Sequence, residues 1–504
     1  MSANPSSSAP QQASRAPTLG ERSGGVLLPV TALPGVGPIG DLDGAAQFLD
    51  WLAVSGARLW QILPLVSTDL DGSPYSSWST LAGNPDLVGI DFCVRHGLLP
   101  EGTSLPFAPE VDYVATAELK RPLILAAARR FLDFPDHPWR SAYVRFISDA
   151  PWATDSAVFY ALRRAHHGAP WWEWPDALRC CQSTAVFHTV EGLSEDVALW
   201  RAALFLFEQQ WAEVRGMAEE RGIGLVGDMP IYVGWDSVDV WVNQRLFALD
   251  EGGRPTALSG VPPDAYSETG QLWHTPLFDW DSVAAHGYEW WITRVARALA
   301  QCDALRLDHF IGFSRFWSVP ADAEFALEGA WKPGPGRALF DALHGALGAL
   351  PLIAEDLGSI DAATEALRDG LGMPGMRVIQ FGLDSDDTAL HHPSQYPERS
   401  VAYTSTHDSP TARGYWEALS PAEQARLSLG VEGKGACHAL VDAVLASAAS
   451  WAIIAAQDIA ALDDSARINR PGTTQGNWRW RLSWDALTPE HARRLRDRLH
   501  QTRR

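Results

Sequence analysis

Short apolar runs alternate with amphipathic stretches along most of the chain. Residues 26–30 form the first apolar run, and residues 45–52 then repeat hydrophobic side chains at the three- and four-residue spacing of a helix. Gly56 ends this predicted helix, and residues 58–65 form the next apolar run. The connection between the two runs is long enough for parallel pairing, so the segment predicts a strand–helix–strand unit.

The same order of helix and strand returns later in the chain. Six further apolar runs lie at residues 224–231, 304–309, 351–356, 376–381, 401–406 and 451–457. The total is eight runs, most of them preceded or followed by helical patterns. Eight parallel strands that are buried on both faces predict an α/β fold of the (β/α)8, or TIM barrel, type. A doubly wound open sheet is the alternative.

The spacing between the runs is uneven, and this predicts insertions into the barrel. We place mainly helical subdomains at about 71–195, 235–285 and 311–345. Residues 1–25, rich in Ser, Ala, Pro and Gln, predict a disordered N-terminal tail. Residues 26–504 then form one catalytic barrel domain, with no C-terminal β-sandwich domain.

Composition and charge remove several classes of function. The 504 residues include 61 acidic and 40 basic side chains, a net charge of −21, which disfavours nucleic acid and anionic membrane surfaces as partners. Five cysteines without metal-ligand spacing predict neither a disulfide framework nor a zinc site. No apolar run reaches the roughly 18 residues that cross a bilayer. We therefore expect a cytoplasmic protein that binds no metal. We also expect it to be a monomer or a weak homodimer.

Tryptophan is the most abundant aromatic residue, with 23 Trp against 18 Phe and 10 Tyr. A large core accounts for part of this excess. Indole rings also provide flat apolar surfaces with one polar N–H, which suit the apolar and hydroxylated faces of sugar rings.

Four of the apolar runs end at or near a carboxylate. These residues are Asp228, Asp308, Glu355 and Asp408. The strand ends of a barrel meet on one face, so the four side chains are expected to share an acidic cleft. Helix capping by Asp is the alternative for any single one of them. His309 and His407, directly beside two of the acids, favour the cleft.

Arg306 and Asp308 lie two residues apart on one predicted strand, so their side chains share a face. The guanidinium is expected to keep Asp308 ionised, as a nucleophile requires, while Glu355 among further acids can hold a proton and act as general acid. Such a pair is typical of a retaining glycosidase. A structural ion pair is the alternative for Arg306. Motifs for dinucleotides, phosphate loops, zinc proteases and serine hydrolases are absent.

Several longer motifs then point to one family. They are SPYSSWSTLAGNPDL, GDMPIYV, GVPPDAYSETGQLW, RLDHFIGF, AEDLG, THD and NRPGTTQGNW. In this order, between about residues 26 and 482, the motifs resemble those of the 4-α-glucanotransferases called amylomaltases or disproportionating enzymes, glycoside hydrolase family 77. The resemblance implies a (β/α)8 barrel with inserted subdomains.

The resemblance also implies a role for each matched residue. Asp308 is the expected nucleophile, Glu355 the acid/base and Asp408 the stabiliser of the transition state. The expected substrate-binding residues are Asp228, Arg306, His309 and His407 at the scissile bond, Tyr75 in the donor groove, Asn84 and Asn477 within their motifs, and Asp264, Gln271 and Trp273 on a loop arching over the acceptor side.

The family mechanism implied here is double displacement through a covalent glycosyl-enzyme, with the two carboxyl groups roughly 5 to 5.5 Å apart. The implied substrates are α-1,4-glucans and maltooligosaccharides, with glucose as an acceptor, and no metal or organic cofactor is expected. Trp273 is the candidate for a lid that excludes water. Two other functions stay open: an α-glucan hydrolase of the α-amylase type and a catalytically silent glucan-binding protein.

Two segments depart from the family pattern. Ser409 and Pro410 replace the Asn-Asp that commonly follows THD, and Ser405 stands where Gly is usual. Trp235 occupies a position that is often Glu after an Ala. Neither departure touches the three expected catalytic carboxylates, but both are expected to affect which oligosaccharides fit.

Overall fold

The computed structural model describes residues 15–263, 267–358, 360–383, 390–426 and 434–504. In chain order its strands are β1 (Ser23–Leu27), β2 (Leu59–Gln61), β3 (Gly224–Met229), β4 (Ala257–Val261), β5 (Gln271–Pro276), β6 (Ala304–Leu307), β7 (Arg315–Pro320), β8 (Ala330–Pro333), β9 (Leu352–Ala354), β10 (Gly375–Val378), β11 (Ser400–Tyr403) and β12 (Trp451–Ala455).

The helices of the described residues surround these strands and fill the connections. They are α1 (Ala45–Ser55), α2 (Ile90–Arg95), α3 (Tyr113–Ala115), α4 (Arg121–Leu132), α5 (Arg140–Asp149), α6 (Pro151–Ala165), α7 (Asp176–Arg179), α8 (Ser183–Glu191), α9 (Ser194–Glu220), α10 (Val238–Val242), α11 (Trp280–Ala285), α12 (Glu289–Gln301), α13 (Ile311–Ser314), α14 (Gly336–Leu347), α15 (Ala362–Gly370), α16 (Ala412–Ala418), α17 (Pro421–Arg426), α18 (Lys434–Ala446), α19 (Ala456–Ile459) and α20 (Pro489–Gln501).

Eight strands form a closed parallel barrel in the order β1-β12-β11-β10-β9-β6-β3-β2. The ring closes because β1 pairs in parallel with both β12 and β2. Each of the eight predicted runs overlaps one of these strands, so the (β/α)8 prediction is confirmed and the open-sheet alternative is wrong. One buried apolar cluster takes a residue from every barrel strand: Leu27, Leu59, Val226, Ala304, Ile353, Met376, Val401 and Trp451. The interior is therefore a packed core that fixes the strand ends.

The connections after β2, β3 and β6 carry the inserted structure. Helices α2–α9 lie between β2 and β3, where α4 and α6 both pack against the long helix α9. The two later connections together form a four-stranded antiparallel sheet in the order β5-β4-β7-β8. The sequence analysis did not predict this sheet, because β4 and β7 come from different insertions and only the barrel brings the two segments together.

The chain is ordered before the first predicted strand. The tail predicted over residues 1–25 overlaps β1, which begins at Ser23. The Arg22 guanidinium donates to the backbone carbonyls of Ser447 (2.8 Å), Thr502 (3.0 Å) and Ala449 (3.1 Å). These bonds tie the start of β1 to the C-terminal helices, while residues 1–14 lie outside the described part of the chain.

The end of the chain is helical. After β12, the described residues through 504 contain α19, α20 and a short 3-10 turn but no further strand. No described helix is long and apolar enough to cross a membrane.

Candidate active site

The four carboxylates predicted at strand ends lie at one end of the barrel. Asp228 is the fifth residue of β3, and Asp308 and Glu355 directly follow β6 and β9. Asp408 lies five residues beyond the end of β11. Adjacent strands pair β3 with β6 and β6 with β9, which brings the first three acids side by side. Helix capping does not explain them, because their partners are other residues of the cleft.

Arg306, on β6, is the cation at the centre of this acidic group. One guanidinium nitrogen donates to both carboxylate oxygens of Asp228, at 2.7 and 2.9 Å, and the other lies 2.8 Å from Asp308. The Arg306 side chain is only 4% exposed. Burial opposes its charge, but the neighbouring carboxylates outweigh burial and raise the pKa of Arg306 well above its usual value. Arg306 therefore joins two strands and balances two acids.

Glu355 is held by backbone donors on both sides. The N–H groups of His309 and Leu357 donate to its two carboxylate oxygens at 2.7 and 2.9 Å. Burial is the largest influence and, with the charge of Asp308, raises the pKa of Glu355 to about 7 in spite of Arg306 and the two N–H donors. A carboxyl group of this kind can hold a proton near neutral pH.

Asp308 is the second buried acid of this group whose pKa is raised. Burial raises its pKa to about 6, and the carboxylates of Asp228 and Asp408 add to the rise, while Arg306 opposes it. The guanidinium therefore does not hold the pKa of Asp308 below its usual range, although it does favour the ionised form. Because the charges of Asp308 and Glu355 repel each other, one of the two carboxyl groups can be ionised while the other keeps its proton, as acid and nucleophile roles require.

Asp408 lies in the most open part of the group, with 40% of its side chain exposed. Asn469 donates its side-chain amide to one carboxylate oxygen at 2.6 Å, and His407 Nε2 lies 3.1 Å from the other. Burial by the surrounding protein opposes the charge, but His407 and the bond from Asn469 together lower the pKa of Asp408 to about 2. Asp408 is therefore the firmly ionised acid of the cleft.

Three rings form a wall beside these acids. The Tyr75 hydroxyl donates to Asp228 at 2.7 Å, and the Tyr75 ring stacks on His407 with centroids 5.2 Å apart. Trp478 lies 5.8 Å from the Tyr75 ring and 5.9 Å from His407. The wall connects β3 with the loops that follow β2, β11 and β12.

His309 and Trp273 lie on the opposite, insertion side. His309 has a left-handed backbone conformation, with φ of 49°, which is uncommon outside glycine and directs its N–H to Glu355. Its ring packs edge-on against Trp273 at 4.8 Å. Burial lowers the pKa of His309 to about 4, and its buried Nε2 has no hydrogen-bond partner among the described residues. A neutral imidazole is thus free to bond a ligand.

The expected loop over the acceptor side is partly a strand. Gln271 and Trp273 lie on β5, paired with β4, and the Trp273 N–H donates to the Gln271 side-chain oxygen at 3.2 Å. The antiparallel sheet, rather than a free loop, supports both side chains. Asp264 lies outside the described residues.

The side chains of the two predicted asparagines make hydrogen bonds within the loops that carry them. Asn84 accepts from the Asp86 N–H at 2.9 Å and lines, with Trp478, a cavity next to the aromatic wall. Asn477 accepts from the Arg470 N–H at 2.9 Å and donates to Thr473. Among the described contacts neither side chain reaches the carboxylates, so their substrate-binding roles stay predictions.

Sequence reasoning missed Asn469 and Trp478. The sequence contained a signal for both, because they are the first and last residues of the quoted motif NRPGTTQGNW. The loop closes through a bond from the Trp478 N–H to the Ile468 carbonyl at 2.7 Å, and the Asn469 N–H donates to the His407 carbonyl at 3.0 Å. The motif gave no sign of which residue faces Asp408, since a loop without periodicity does not fix side-chain direction.

The departures around THD have a structural basis. The Ser405 hydroxyl bonds to buried Asp458, which also accepts from Thr404 at 2.6 Å and from the Ala412 N–H at 2.7 Å. The Ser409 hydroxyl accepts from the Thr406 N–H at 2.8 Å. The two serines thus anchor the segment that carries Asp408 without adding a group to the cleft.

The described residues contain no group of three or more His, Cys, Asp or Glu side chains that could hold a metal ion. What the cleft does offer is acid–base and nucleophilic chemistry. It combines one acid on a guanidinium, one acid whose pKa is raised to about 7 and one partly exposed carboxylate, beside aromatic rings suited to a sugar.

Comparison with known proteins supports the same chemistry. The profile of glycoside hydrolase family 77, described as 4-alpha-glucanotransferase, matches residues 28–488. The 4-alpha-glucanotransferase of Thermus thermophilus is 40% identical over 96% of this chain and 99% of its own length. The chloroplastic/amyloplastic 4-alpha-glucanotransferase of Oryza sativa is 42% identical over 94% of this chain and 82% of its own.

A solved structure has the same fold as this chain. The amylomaltase from Streptococcus agalactiae, in complex with acarbose, superposes with a TM-score of 0.92 at 33% identity, covering 96% of this chain and 100% of that one. A family match over most of the chain, relatives near 40% identity and a nearly full-length structural match agree. The chain therefore belongs to glycoside hydrolase family 77, the 4-α-glucanotransferases.

Proposed function

We propose that the protein moves α-1,4-glucan segments from a donor to an acceptor glucan with retention of the linkage, through a covalent intermediate on Asp308. One observation carries this proposal: Asp308 and Glu355 follow adjacent strands, one on the Arg306 guanidinium and the other on two backbone N–H groups. Both carboxyl groups are buried and their charges repel each other, so one can be ionised while the other holds a proton. We expect the two carboxyl groups to lie roughly 5 to 5.5 Å apart.

In the first step the Asp308 carboxylate attacks the anomeric carbon of the donor sugar. The bond to the glycosidic oxygen breaks, and Glu355 gives its proton to that oxygen as the reducing-end fragment leaves. Arg306 orients Asp308 through the 2.8 Å contact. The His309 and Leu357 N–H groups stabilise the carboxylate that forms on Glu355.

In the second step the 4-hydroxyl of an acceptor sugar replaces the leaving fragment. Glu355, now a base, takes the hydroxyl proton while the oxygen attacks the anomeric carbon, and Asp308 is released as a carboxylate. Two inversions at one carbon retain the α configuration. The proton returns to Glu355, so the site is ready for another donor.

Asp408 stabilises the transition state of each step. Its low pKa keeps it charged, and its exposed oxygens face the cleft beside His407. We propose that they bond the 2- and 3-hydroxyls of the reacting sugar, with bonds that strengthen as the ring flattens toward an oxocarbenium ion. Tyr75, Asp228, Arg306, His309 and His407 would surround the same sugar.

Donors and acceptors follow from the aromatic rings and carboxylates of the cleft, which suit the apolar faces and the hydroxyl groups of uncharged sugars. We propose maltooligosaccharides and longer α-1,4-glucans as donors, with glucose as the smallest acceptor. All five cysteines are free, which is consistent with a reducing, cytoplasmic compartment. A monomer or weak homodimer stays a prediction.

The first experiment incubates the protein with maltotriose and follows product length together with total reducing ends. We expect a ladder of longer maltooligosaccharides plus glucose at constant reducing ends. Asp308→Asn removes the nucleophile and should abolish the ladder. Rising reducing ends without a ladder would indicate the α-amylase-type hydrolase, and retained amylose binding without turnover would indicate the silent binding protein.

The pH profile tests the two acid roles. Asp308 must be ionised and Glu355 protonated in the free enzyme, with pKa values of about 6 and about 7. The value of kcat/KM for maltotriose should therefore fall below about pH 6 and above about pH 7, giving a narrow bell. A profile flat from pH 5 to 9 would contradict this assignment.

Asn469 should act as a positioning residue for Asp408. Asn469→Ala removes the 2.6 Å bond to the carboxylate, and hydrogen bonds to charged groups contribute about 1.5–3 kcal/mol. We expect kcat/KM for maltotriose to fall about tenfold to a hundredfold and the pKa of Asp408 to rise. Thr473→Ala, in the same loop, is the matched control. Equal losses in the two variants would assign Asn469 only a structural role.

Trp273 should limit the access of water to the intermediate. Trp273 lies on β5, and its ring packs on His309, the residue that follows Asp308 in the chain. Trp273→Ala opens this side and should raise the ratio of free glucose released by hydrolysis to chains transferred. Product analysis at equal donor consumption measures the ratio, and an unchanged value would remove Trp273 from this role.

A further inference from the structure

Two tryptophans at the rim of the barrel stack face to face. The rings of Trp172 and Trp235 lie 3.7 Å apart between centroids with planes 12° from parallel. Both are partly exposed, whereas Trp171, which packs edge-on against Trp172 with centroids 5.8 Å apart, is fully buried. The pair is thus the outer layer of an aromatic cluster, and it includes Trp235, one of the residues that depart from the family pattern.

Hydrogen bonds to neighbouring residues hold Trp235, and the Trp171–Trp172 segment, in place. The Trp235 indole N–H donates to the Gly253 carbonyl at 3.0 Å, and the Trp171 indole N–H donates to the Trp235 carbonyl at 2.8 Å. The Trp171 backbone N–H also bonds to Asp236 at 3.3 Å. With its orientation already fixed, the pair would lose little conformational entropy when a ligand binds.

The pair lies on the same end of the barrel as the candidate active site. Trp235 is six residues beyond the end of β3, the strand that carries Asp228. The preceding Gly234 packs against the backbone of Ser76 and Ser77, where a Cβ would come within 2.9 Å of the Ser77 carbonyl. Ser76 directly follows Tyr75 and is exposed, so this contact places the loop that carries Trp235 beside the loop that carries Tyr75.

The surroundings favour a neutral ligand. Glu173 and Asp236 are the charged neighbours of the pair in sequence, and the Asp236 carboxylate is already paired with Arg163. A residual negative charge disfavours phosphate or other anions. Flat indoles next to acceptor carbonyls and carboxylates instead suit sugar rings, with apolar C–H faces and hydroxyl donors.

We propose that Trp172 and Trp235 form an additional glucan-binding contact at the rim of the cleft, used by long α-glucans and not by maltotriose. The proposal rests on the proposed function, because it extends the same cleft. A maltotriose bound across the carboxylates has at most two sugars on either side of the scissile bond. A longer chain extends past Ser76 onto the tryptophan pair, which therefore sets chain-length preference.

The kinetic test compares maltotriose with amylose in Trp172→Leu and Trp235→Leu. Leucine keeps an apolar side chain against the cluster but removes the flat ring. We expect KM for amylose to rise about three- to tenfold, as the loss of one aromatic stacking contact implies, with KM for maltotriose within about twofold of the wild type. Trp172→Phe should recover most of the amylose affinity.

Trp331→Leu is the matched control. Trp331 is also partly exposed, but it lies on β8, the edge of the small sheet farthest from Trp273. This variant should leave both KM values unchanged. Unchanged amylose KM in both pair variants, or equal losses on the two substrates, would overturn the proposal.

A binding measurement separates this proposal from the proposed function. Retardation by amylose in native gels is measured in the Asp308→Asn background, where no turnover occurs. Reduced retardation after Trp172→Leu supports the rim contact even if the wild type transfers no glucan, which would refute the proposed function alone. Unreduced retardation in both pair variants would refute the rim contact. Thermal unfolding checks that each variant is folded, and Trp172→Met or Trp235→Met, which also removes the flat ring, replaces any variant that is not.

Discussion

The candidate site depends on one buried cation. Arg306 contacts Asp228 and Asp308 within hydrogen-bond distance and lies among further carboxylates at Glu355 and Asp408. Several acids gathered in a buried cleft would otherwise take up protons, because burial and mutual repulsion both disfavour their charges. Removing one partner of a buried ion pair typically costs about 3–5 kcal/mol. The guanidinium therefore favours the charged form of Asp308, the proposed nucleophile, and stabilises the junction between β3 and β6.

The barrel makes this concentration of charge possible. Its interior is filled by apolar side chains from all eight strands, which fixes the strand ends without relying on the polar groups above them. The loops can then carry energetically costly features, such as the left-handed His309 and its unpartnered ring nitrogen. Stability and chemistry are thus supplied by different layers of one domain.

The inserted sheet gives the cleft its second wall. Trp273 reaches His309 because β5 pairs with β4, and β4 pairs in turn with β7 from the next insertion. On the other side, Tyr75, His407 and Trp478 come from three separate loops. A cleft with aromatic rings on two sides and acids at its base is consistent with the 4-alpha-glucanotransferase family.

Much of this arrangement was determined by the sequence itself. Apolar runs long enough to be buried on both faces specified the eight strands, and an acid at or near the end of a run specified Asp228, Asp308, Glu355 and Asp408, since parallel strands of a barrel end on one face. Those signals are local and periodic. The motif resemblance then added roles for residues, such as Tyr75 and Asp408, that lie in loops.

Only the tertiary structure decided the rest, because it depends on contacts between segments distant in the chain. Asn469 meets Asp408 across 61 positions, and β4 pairs with β7 across two insertions. The raised pKa values of Asp308 and Glu355 likewise follow from burial and from charges on several strands, which no local pattern records. Local periodicity fixed where strands end, and packing fixed what each strand end faces and what charge it carries.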